Sequence, residues 1–570
     1  MKTEISQPRR PLVAAALNNT RKAFLGVAIL SAVTNLLMLT GPLYMMQIYD
    51  RVLASRSVPT LVALSLLMIG LYLLLGILEI IRARVLTQIG QWLEEQLGST
   101  TFDTVLTLPL KMSRKDAIVQ PLNDLDQVRQ FMSGPGPIAI CDLPWLPLYL
   151  AILFFFHAYF GWLALAGAII LIALTLYSEI TLREPMRRLA RLASARGEYI
   201  EAGRRNAEAL HAMGMRTHYA SRWEEMNGRF VDEQRQTRDK TGSFATASKI
   251  FRMTLQSIVL ALGAWLSIQQ LVSPGAMIAA SILVSRALSP IEQVIGQWRG
   301  FVSARQARHR LQELLDKFRV TRPSMKLPPP KNNLNVSGLT VLAPGSGTPI
   351  VRDVSFELNA GQGLGIIGPS ASGKSTLARA LVGIWPPARG TIRLDGAEIE
   401  QWDSERLGQS IGYLPQDVEL FDGTVAENIA RFTSPESHED IIEAARSSGG
   451  HELILSLPDG YDTRIGPSGA ILSAGQRQRI GLARAFFGSP FLIVLDEPNA
   501  NLDADGEAAL TGAIRNARAN GAVVVVIAHR PNALIAVDQV LVLANGVAVA
   551  CGPRDEVLKK TTIKAVQERA

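Results

Sequence analysis

The feature that most limits the folding of this chain is a series of long apolar runs in its first 300 residues. Each run has about 20 residues with few charges, which is the length that an α-helix needs to cross a bilayer. A chain in lipid has to satisfy its backbone hydrogen bonds internally, so these runs predict membrane-spanning helices. The predicted spans cover residues 24–46, 59–81, 137–157, 160–180, 244–270 and 276–296.

The distribution of charge gives these spans an orientation. The formal net charge of +8 would suit a nucleic-acid partner, but the basic residues cluster between apolar runs, which is typical of membrane topology. The long connections 83–135 and 182–243 are basic and helical in pattern, whereas the turns around residues 157–159 and 273–275 are short and uncharged. The positive-inside rule therefore predicts that the N-terminal segment, both long connections and the C-terminal part lie in the cytoplasm. We expect membrane lipid around the spans and no nucleic acid as partner.

The first span is expected to remain in the protein. The apolar stretch from Phe24 to Met46 is longer than the apolar region of a signal peptide, and no small-residue cleavage site clearly follows it. Cys141 and Cys551 lie in different parts of the chain, so we expect two free thiols. The sequence shows no spacing typical of a metal site built from cysteine and histidine.

A glycine-rich loop marks the second half of the chain. It lies between an apolar run, 363–367, that predicts a buried strand and a segment, 377–381, that predicts a helix. Such a loop curls so that its N–H groups face a phosphate at the helix N-terminus, while its lysine reaches the β and γ oxygens and its serine holds Mg²⁺. The predicted ATP and Mg²⁺ site comprises Gly368, Pro369, Ser370, Ala371, Ser372, Gly373, Lys374, Ser375 and Thr376.

Further motifs identify the kind of nucleotide-binding domain. Residues 472–476 read L-S-A-G-Q, and the apolar run 491–495 ends in Asp496 and Glu497. The remaining matches are Gln416 in Y-L-P-Q-D, the N-L-D run 501–503, and His529 after the apolar run 523–527. In this order and spacing the motifs resemble those of the ATP-binding cassette (ABC) family. The resemblance implies an α-helical six-span transmembrane domain of the exporter type followed by an α/β P-loop ABC ATPase domain.

The resemblance also implies a role for each motif. The residues implied in hydrolysis are Lys374, Gln416, Glu497 as the general base and His529 as a contact to the γ-phosphate. Those implied in Mg²⁺ binding are Ser375, Gln416 and Asp496. Those implied in nucleotide contact beyond the phosphate loop are Ser473, Gly475, Gln476 and Asp503. In this family the L-S-A-G-Q run 472–476, called the signature motif, completes the site of an opposing domain. One phosphate loop and one signature per chain therefore imply a homodimer, with pairing to a different chain as the alternative.

Three positions depart from the family pattern. Ala474 stands where the signature usually has glycine, and we expect function to be retained because a methyl group is small. Ala343 stands near the position of the aromatic that stacks on adenine, so we expect that stacking to be weak or supplied elsewhere. Pro467 stands where exporters often have a glutamate that contacts the coupling helix of the partner, so this contact is expected to differ.

Longer strings narrow the resemblance. They are P-L-Y-M-M-Q-I-Y-D-R-V-L at 42–53, D-L-P-W at 142–145, G-Y-L-P-Q-D-V-E-L-F at 412–421 and D-E-P-N-A-N-L-D at 496–503. Over nearly the whole chain, they resemble the permease/ATPase of type I secretion systems of the protease-secretion (PrtD) type. That implies an inner-membrane exporter of unfolded secreted proteins, working with a periplasmic membrane-fusion adaptor and an outer-membrane channel protein. An exporter of lipid, peptide or small molecules on the same scaffold is the alternative.

The domain order follows from these patterns. A cytoplasmic N-terminal segment, 1–23, precedes a transmembrane domain with long cytoplasmic helical extensions, 24–318. A proline-rich linker, 319–334, then leads to the nucleotide-binding domain, 335–570. By resemblance, the turns 108–121 and 207–215 would be coupling helices.

One charge inside a predicted span has two interpretations. Arg286 lies within the sixth span. A charge at that depth usually faces a cavity or a partner, which makes Arg286 a candidate for lining a transport path. The other interpretation is an arginine that snorkels to the cytoplasmic end of the span.

Overall fold

The computed structural model describes residues 12–111, 121–318, 327–343, 347–433, 438–466, 469, 471–528 and 534–559. The chain divides into two compact units. We call them the helical unit, Met1–Val105 with Gln120–Phe318, and the α/β unit, Leu106–Val119 with Arg319–Ala570.

Helices make up the first part of the chain. The α-helices are α1 (Leu12–Asn19), α2 (Arg21–Leu37), α3 (Thr40–Gln47), α4 (Leu53–Ser55), α5 (Val58–Lys111), α6 (Pro121–Ser133), α7 (Pro135–Asp142), α8 (Leu146–Phe156), α9 (Ala158–Arg205), α10 (Ala207–Ala212), α11 (Arg216–Ile268) and α12 (Pro274–Lys317). A π-helix, Ile48–Val52, joins α3 to α4, and a 3₁₀ turn, Leu143–Trp145, joins α7 to α8.

Six helical segments are long and apolar enough to span a membrane. They are Arg21–Ser55, Val58–Leu108, Pro135–Phe156, Ala158–Arg205, Arg216–Ile268 and Pro274–Lys317. Each predicted span falls on one of them, although the third and fifth predictions run one and two residues past the helix end. The prediction of a six-span helical domain is confirmed.

Several of these helices are much longer than a bilayer is thick. Helix α11 has 53 residues, or about 80 Å at 1.5 Å per residue, against about 45 Å for a bilayer with its headgroups. A large part of α11 therefore extends beyond the lipid. The short helix α10 between α9 and α11 lies within the predicted coupling turn 207–215. Of the other predicted coupling turn, residues 112–120 lie outside the described residues.

Two tyrosines tie the extended parts of α9 and α11 together. The rings of Tyr199 and Tyr219 stack with centroids 4.2 Å apart. Each hydroxyl donates a hydrogen bond to the backbone carbonyl of the other residue, at 3.0 Å and 2.6 Å. Nearby, the Arg196 guanidinium on α9 lies 4.0 Å from the ring centroid of Phe230 on α11. The reciprocal pair fixes the register of the two helices next to α10.

A buried ion pair connects three spanning helices. Arg82 on α5 lies 3.1 Å from the carboxylate of Asp142 on α7, and their exposed fractions are 5% and 6%. Ser31 and Asn35 on α2 donate hydrogen bonds to the same carboxylate at 2.6 Å and 2.9 Å. Tyr149 on α8 extends the network by donating to the Asn35 backbone carbonyl. Because a lone charge in this environment is costly, the pair favours one arrangement of these helices.

The α/β unit contains ten strands among the described residues. They are β1 (Asn333–Leu342), β2 (Pro349–Asn359), β3 (Gly363–Ile367), β4 (Arg389–Leu394), β5 (Ala397–Glu398), β6 (Ile411–Leu414), β7 (Leu492–Asp496), β8 (Val523–Ile527), β9 (Gln539–Ala544) and β10 (Val547–Pro553). The helices are α13 (Lys374–Leu381), α14 (Ser404–Gln409), α15 (Val425–Ile429), α16 (His438–Ser447), α17 (His451–Leu455), α18 (Ala474–Phe486) and α19 (Ala504–Ala519).

The strands form two sheets. One has the order β2-β1-β4-β5 and is antiparallel, and the other has the order β10-β9-β3-β8-β7-β6. In the second sheet β9, β3, β8, β7 and β6 are parallel. Every residue of β7 and β8 is buried, so both read as continuous apolar runs, as expected for strands covered on both faces. The parallel arrangement puts the carboxyl ends of these strands at one edge, where α/β proteins bind ligands.

The start of β1 is held by a carboxylate in the turn between β4 and β5. Asp395 accepts hydrogen bonds from the backbone N–H groups of Lys331, Asn332 and Asn333 at 2.8–2.9 Å. Burial by itself would raise the pKa of Asp395, but these hydrogen bonds together hold the pKa below its usual value. Of the predicted linker, residues 319–326 lie outside the described residues, and β1 begins at Asn333.

Candidate nucleotide-binding site

The predicted phosphate loop joins β3 to α13. The strand has the predicted bounds, and the helix begins at Lys374, three residues earlier than predicted. Glycine is required at two positions. A Cβ on Gly368 would collide with the carbonyl oxygen of Leu543, and Gly373 has φ +99°, a conformation that disfavours other residues. The loop therefore curls tightly onto the N-terminus of α13.

Lys374 points back into the loop. Its Nζ donates to the carbonyl oxygens of Gly368 and Pro369 at 2.9 Å and 2.8 Å. Burial lowers the pKa of Lys374, while the nearby carboxylates of Glu497 and Asp496 oppose this shift. The ammonium thus lies among groups of opposite charge at the carboxyl edge of the sheet.

Asp496 ends β7 beside this loop. Its exposed fraction is 1%. Burial raises the pKa of Asp496, a hydrogen bond from Ser375 lowers it, and the neighbouring Glu497 raises it further. The Oδ1 atom of Asp496 is buried without a hydrogen-bond partner. A buried carboxylate oxygen beside a serine hydroxyl has the hard oxygen chemistry that Mg²⁺ prefers, so these residues fit the ion.

Glu497 follows directly and has an unusual backbone conformation. Its φ of +52° is in the left-handed region, which costs about 1–3 kcal/mol and is common at functional sites. The conformation is fixed by hydrogen bonds from the Glu497 N–H to the Ile527 carbonyl and from the Ala500 N–H to the Glu497 carbonyl. The chain thus leaves β7 in a left-handed conformation directly after Asp496.

Gln416 comes from the adjacent strand. Strand β6 pairs with β7 so that Leu414 lies opposite Leu495, and Gln416 follows two residues later with an exposed side chain. The same edge therefore presents the phosphate loop, Asp496 and the residues after β6.

The signature motif begins α18 with a capping box. The Ser473 hydroxyl accepts from the Gln476 N–H at 3.2 Å, and the Gln476 side chain accepts from the Ser473 N–H at 2.8 Å. Gly475 lies close to the segment after β7, because a Cβ there would be 3.0 Å from the Asn501 carbonyl oxygen. Ala474, at the first helical position, is exposed, so its methyl group is accommodated without crowding.

Asp503 has two partners within the chain. It accepts a hydrogen bond from the Gly506 N–H as the N-cap of α19, and its carboxylate lies 2.6 Å from Arg479 on α18. The backbone hydrogen bond and Arg479 lower the pKa of Asp503 despite partial desolvation. Gln478 adds a hydrogen bond from α18 to the Pro498 carbonyl. Helix α18 and the N-L-D run 501–503, which we call the D-loop, are thus bonded to each other.

The structure brings together two groups of predicted residues. Lys374, Ser375, Asp496 and Glu497 meet at the sheet edge, and Ser473, Gly475, Gln476 and Asp503 gather where α18 meets α19. His529 and Pro467 lie outside the described residues. Ala343 follows the last residue of β1 and is half-buried.

The sequence patterns did not single out three residues around the site. Tyr413 and Arg379 lie near Asp496: burial raises the pKa of Tyr413, Asp496 adds to the rise, and Arg379 opposes it. Arg479 pairs with Asp503. Its place on the helix that Ser473 begins offered a signal, because six residues, or one and two-thirds turns, put Arg479 within about 9 Å of Ser473 along the axis of α18. Tyr413 and Arg379 offered none, because their proximity depends on how β6 and α13 pack.

The fold and the site together define a membrane-spanning ATPase of the cassette type. Residues 351–500 match the ABC transporter family, and residues 24–289 match the ABC transporter transmembrane region. The type I secretion system ATP-binding protein PrsD of Rhizobium meliloti (strain 1021) is 50% identical over 553 residues, covering 97% of this chain and 95% of that protein. The chain therefore belongs to the ABC transporter family, in its group of type I secretion ATP-binding proteins.

Other similarities agree with this assignment. The cyclolysin secretion/processing ATP-binding protein CyaB of Bordetella pertussis is 26% identical, covering 93% of this chain and 75% of that protein. The leukotoxin translocation ATP-binding protein LktB of Mannheimia haemolytica is 27% identical, covering 95% and 77%. A bacterial Atm1-family ABC exporter solved with ATP bound shares the fold, with a TM-score of 0.79, 20% identity and coverage of 97% and 99%. The predicted family and exporter fold are confirmed, and the chain is a multi-pass membrane protein that binds ATP and couples its hydrolysis to transport.

Proposed function

We propose that this protein is the energising component of a type I secretion system, an exporter that moves unfolded polypeptides across the inner membrane. The observation that carries the proposal is the 50% identity to PrsD over 97% of the chain, on a chain that joins six spanning helices to one cassette ATPase. We further propose that the α/β unit and the basic connections lie in the cytoplasm, as the positive-inside rule favours.

Hydrolysis in this proposal depends mainly on positioning and charge neutralisation. Lys374 pairs with the β and γ oxygens of ATP. Its Nζ now donates to two carbonyl oxygens of the phosphate loop, so it already lies where the phosphates would bind. Glu497 orients and deprotonates the attacking water. His529 would contact the γ-phosphate, and Gln416 would contact the attacking water and the metal.

Mg²⁺ is proposed as the cofactor, held by Ser375, Asp496 and Gln416. The ion supplies neutralisation of the charge that develops on the phosphate oxygens. For binding the ion, the protein offers the buried Oδ1 of Asp496, which has no hydrogen-bond partner and lies at the end of β7.

Two copies of the chain are proposed to form the working transporter. The signature residues are bonded to one another and, through Arg479 on the same helix, to the D-loop. Ser473 is exposed at a helix N-terminus. Such a terminus attracts an anion, so Ser473 and Gly475 would contact the γ-phosphate bound to the partner copy. Asp503, engaged with Arg479, is assigned to positioning the D-loop at that interface.

A cross-linking experiment tests the shared site. Ser370→Cys and Ser473→Cys are introduced together after Cys141 and Cys551 have been replaced by serine. With a short bis-maleimide, we expect covalent dimers on denaturing gels that increase at least severalfold with ATP and Mg²⁺. The single variants serve as controls and should give little product. Cross-linking confined to one chain would contradict the two-copy site.

The export function is tested in the cell. Deleting the gene from its host should remove one or a few proteins from the culture supernatant, and wild-type protein should restore them whereas Glu497→Gln should not. Purification from the complemented strain should also recover a periplasmic adaptor and an outer-membrane channel protein. An unchanged set of secreted proteins, with altered lipid composition or drug sensitivity, would favour the alternative of lipid or small-molecule export.

A further inference from the structure

Helix α12 carries a polar face along the second half of its predicted span. Its polar residues recur at every third or fourth position and are exposed or half-buried. We define the polar stripe as Arg286, Ser289, Gln293 and Gln297. The opposite side of the helix, with Ala287, Leu288 and Ile291, is buried in the helical unit. The stripe is therefore the outward face of α12.

Lipid-facing residues look different in the same unit. The exposed side chains of α5 within its predicted span include Leu66, Leu67, Ile69 and Leu73, with exposed fractions of 50–66%. A face of arginine, serine and glutamine would be costly in contact with hydrocarbon. The stripe therefore faces water or another polar surface.

The position of Arg286 argues against snorkelling. It is ten residues from either end of the predicted span 276–296, or about 15 Å along the helix axis. That distance exceeds the reach of an arginine side chain. The stripe continues from Arg286 towards the cytoplasmic end, so it forms a polar track about 16 Å long from the middle of the span to that boundary.

Arg286 differs from two other arginines of the helical unit. Arg82 is paired with Asp142, and Arg252 on α11 is paired with Glu292 at 2.9 Å. In the part of the chain that the structure describes, the Arg286 guanidinium makes no hydrogen bond or ion pair. The stripe itself contains no carboxylate, because Glu292 lies on another face of α12 and is bound to Arg252. The outward face of α12 thus presents one uncompensated positive charge.

We infer that the polar stripe is a binding track for an acidic, unfolded polypeptide, whose carboxylates pair with Arg286 while serine and glutamine hydrogen-bond its backbone. This inference rests on the proposed export function and specifies the chemistry of the cargo. A second copy of the same stripe is a poor occupant, because it would bring two Arg286 cations together. An extended acidic chain supplies both the missing charge and backbone hydrogen-bond partners.

Peptide binding tests the charge preference. Fluorescent 30-residue glycine-serine peptides containing aspartate, lysine or neither are titrated into full-length protein in nanodiscs of zwitterionic lipid. We expect the aspartate peptide to bind about tenfold more tightly than the neutral one, the value of roughly one charge-assisted contact. Arg286→Gln should abolish the preference, Arg286→Glu should reverse it towards the lysine peptide, and Arg286→Lys should largely retain it.

The matched control is Lys249→Gln, which removes an exposed positive charge from the fifth predicted span and lies off the stripe. It should leave the preference intact. An absent preference in the wild type, or an equal preference in wild type and Arg286→Glu, would overturn the inference. Because binding is measured on purified protein, its failure is distinct from an unchanged set of secreted proteins, which would count against the export function.

Cysteine labelling tests the environment of the stripe. In protein with Cys141 and Cys551 replaced by serine, Ser289→Cys and Gln293→Cys should react with a charged maleimide, because thiolate formation requires water. Leu66→Cys, on the exposed apolar face of α5, should not react. Protection of both stripe positions in the presence of the aspartate peptide supports the track. Failure of both to react in its absence contradicts it.

Discussion

Replacing Glu497 with glutamine should reduce ATP hydrolysis by about 100-fold or more while leaving ATP binding intact. The expected size is that of removing a general base. Glutamine keeps the shape and the left-handed backbone conformation of the residue, so the phosphate loop and Asp496 remain in place. The measurement is phosphate release by the purified full-length protein, together with binding of a fluorescent ATP analogue.

The same variant should accumulate the ATP-bound dimer. In the Ser370/Ser473 cross-linking experiment, Glu497→Gln should give more covalent dimer at low ATP than the same protein with Glu497. Without hydrolysis, the ATP-bound dimer no longer separates. Glu452→Gln, an exposed residue of α17, is the matched control and should behave as wild type. Equal phosphate release by wild type and Glu497→Gln would remove Glu497 from the mechanism.

The second large effect is expected on stability, at Arg431. This side chain donates to the backbone carbonyls of Gly408, Ile411, Arg484, Ala485 and Phe487 at 3.0–3.3 Å. It therefore ties the end of α18 to the start of β6. Burial, and then the nearby Arg484, lower the pKa of Arg431 to about 10, so the guanidinium is still charged at neutral pH.

Arg431→Met should lower the free energy of unfolding of the α/β unit by about 3–5 kcal/mol, because several carbonyl groups lose their donors at once. Arg431→Lys should lose less, since one ammonium retains up to three bonds. The check is calorimetry of the full-length protein, in which the transition that ATP raises identifies the nucleotide-binding part. Arg446→Met, exposed on α16, is the control. Transitions at the same temperature for Arg431→Met and Arg446→Met would refute the assignment.

The sequence predicted what local patterns encode. Apolar length located six spans, because a bilayer imposes its thickness on any helix that crosses it. The glycine-rich loop was correctly placed between a strand and a helix, because the left-handed conformation of Gly373 is a local requirement of the loop backbone. The motif strings also identified the ABC family and its type I secretion group.

Features that depend on packing could not be predicted in this way. The Arg82–Asp142 pair joins residues 60 positions apart, and nothing in either local sequence indicates the other. Asp142 was noted only as part of a motif string. The hub at Arg431 is similar, since its acceptors are backbone carbonyls that any sequence would provide.

The reciprocal Tyr199–Tyr219 pair has a mechanical consequence. Two long helices without a connection near their ends would bend independently when those ends are displaced. Because Tyr199 and Tyr219 bond α9 to α11 beside α10, we expect the two helices to move together when the α10 end is displaced. Tyr199→Phe or Tyr219→Phe, which removes one of the two hydrogen bonds while keeping the ring, would weaken the coupling of α9 to α11 without changing the catalytic centre.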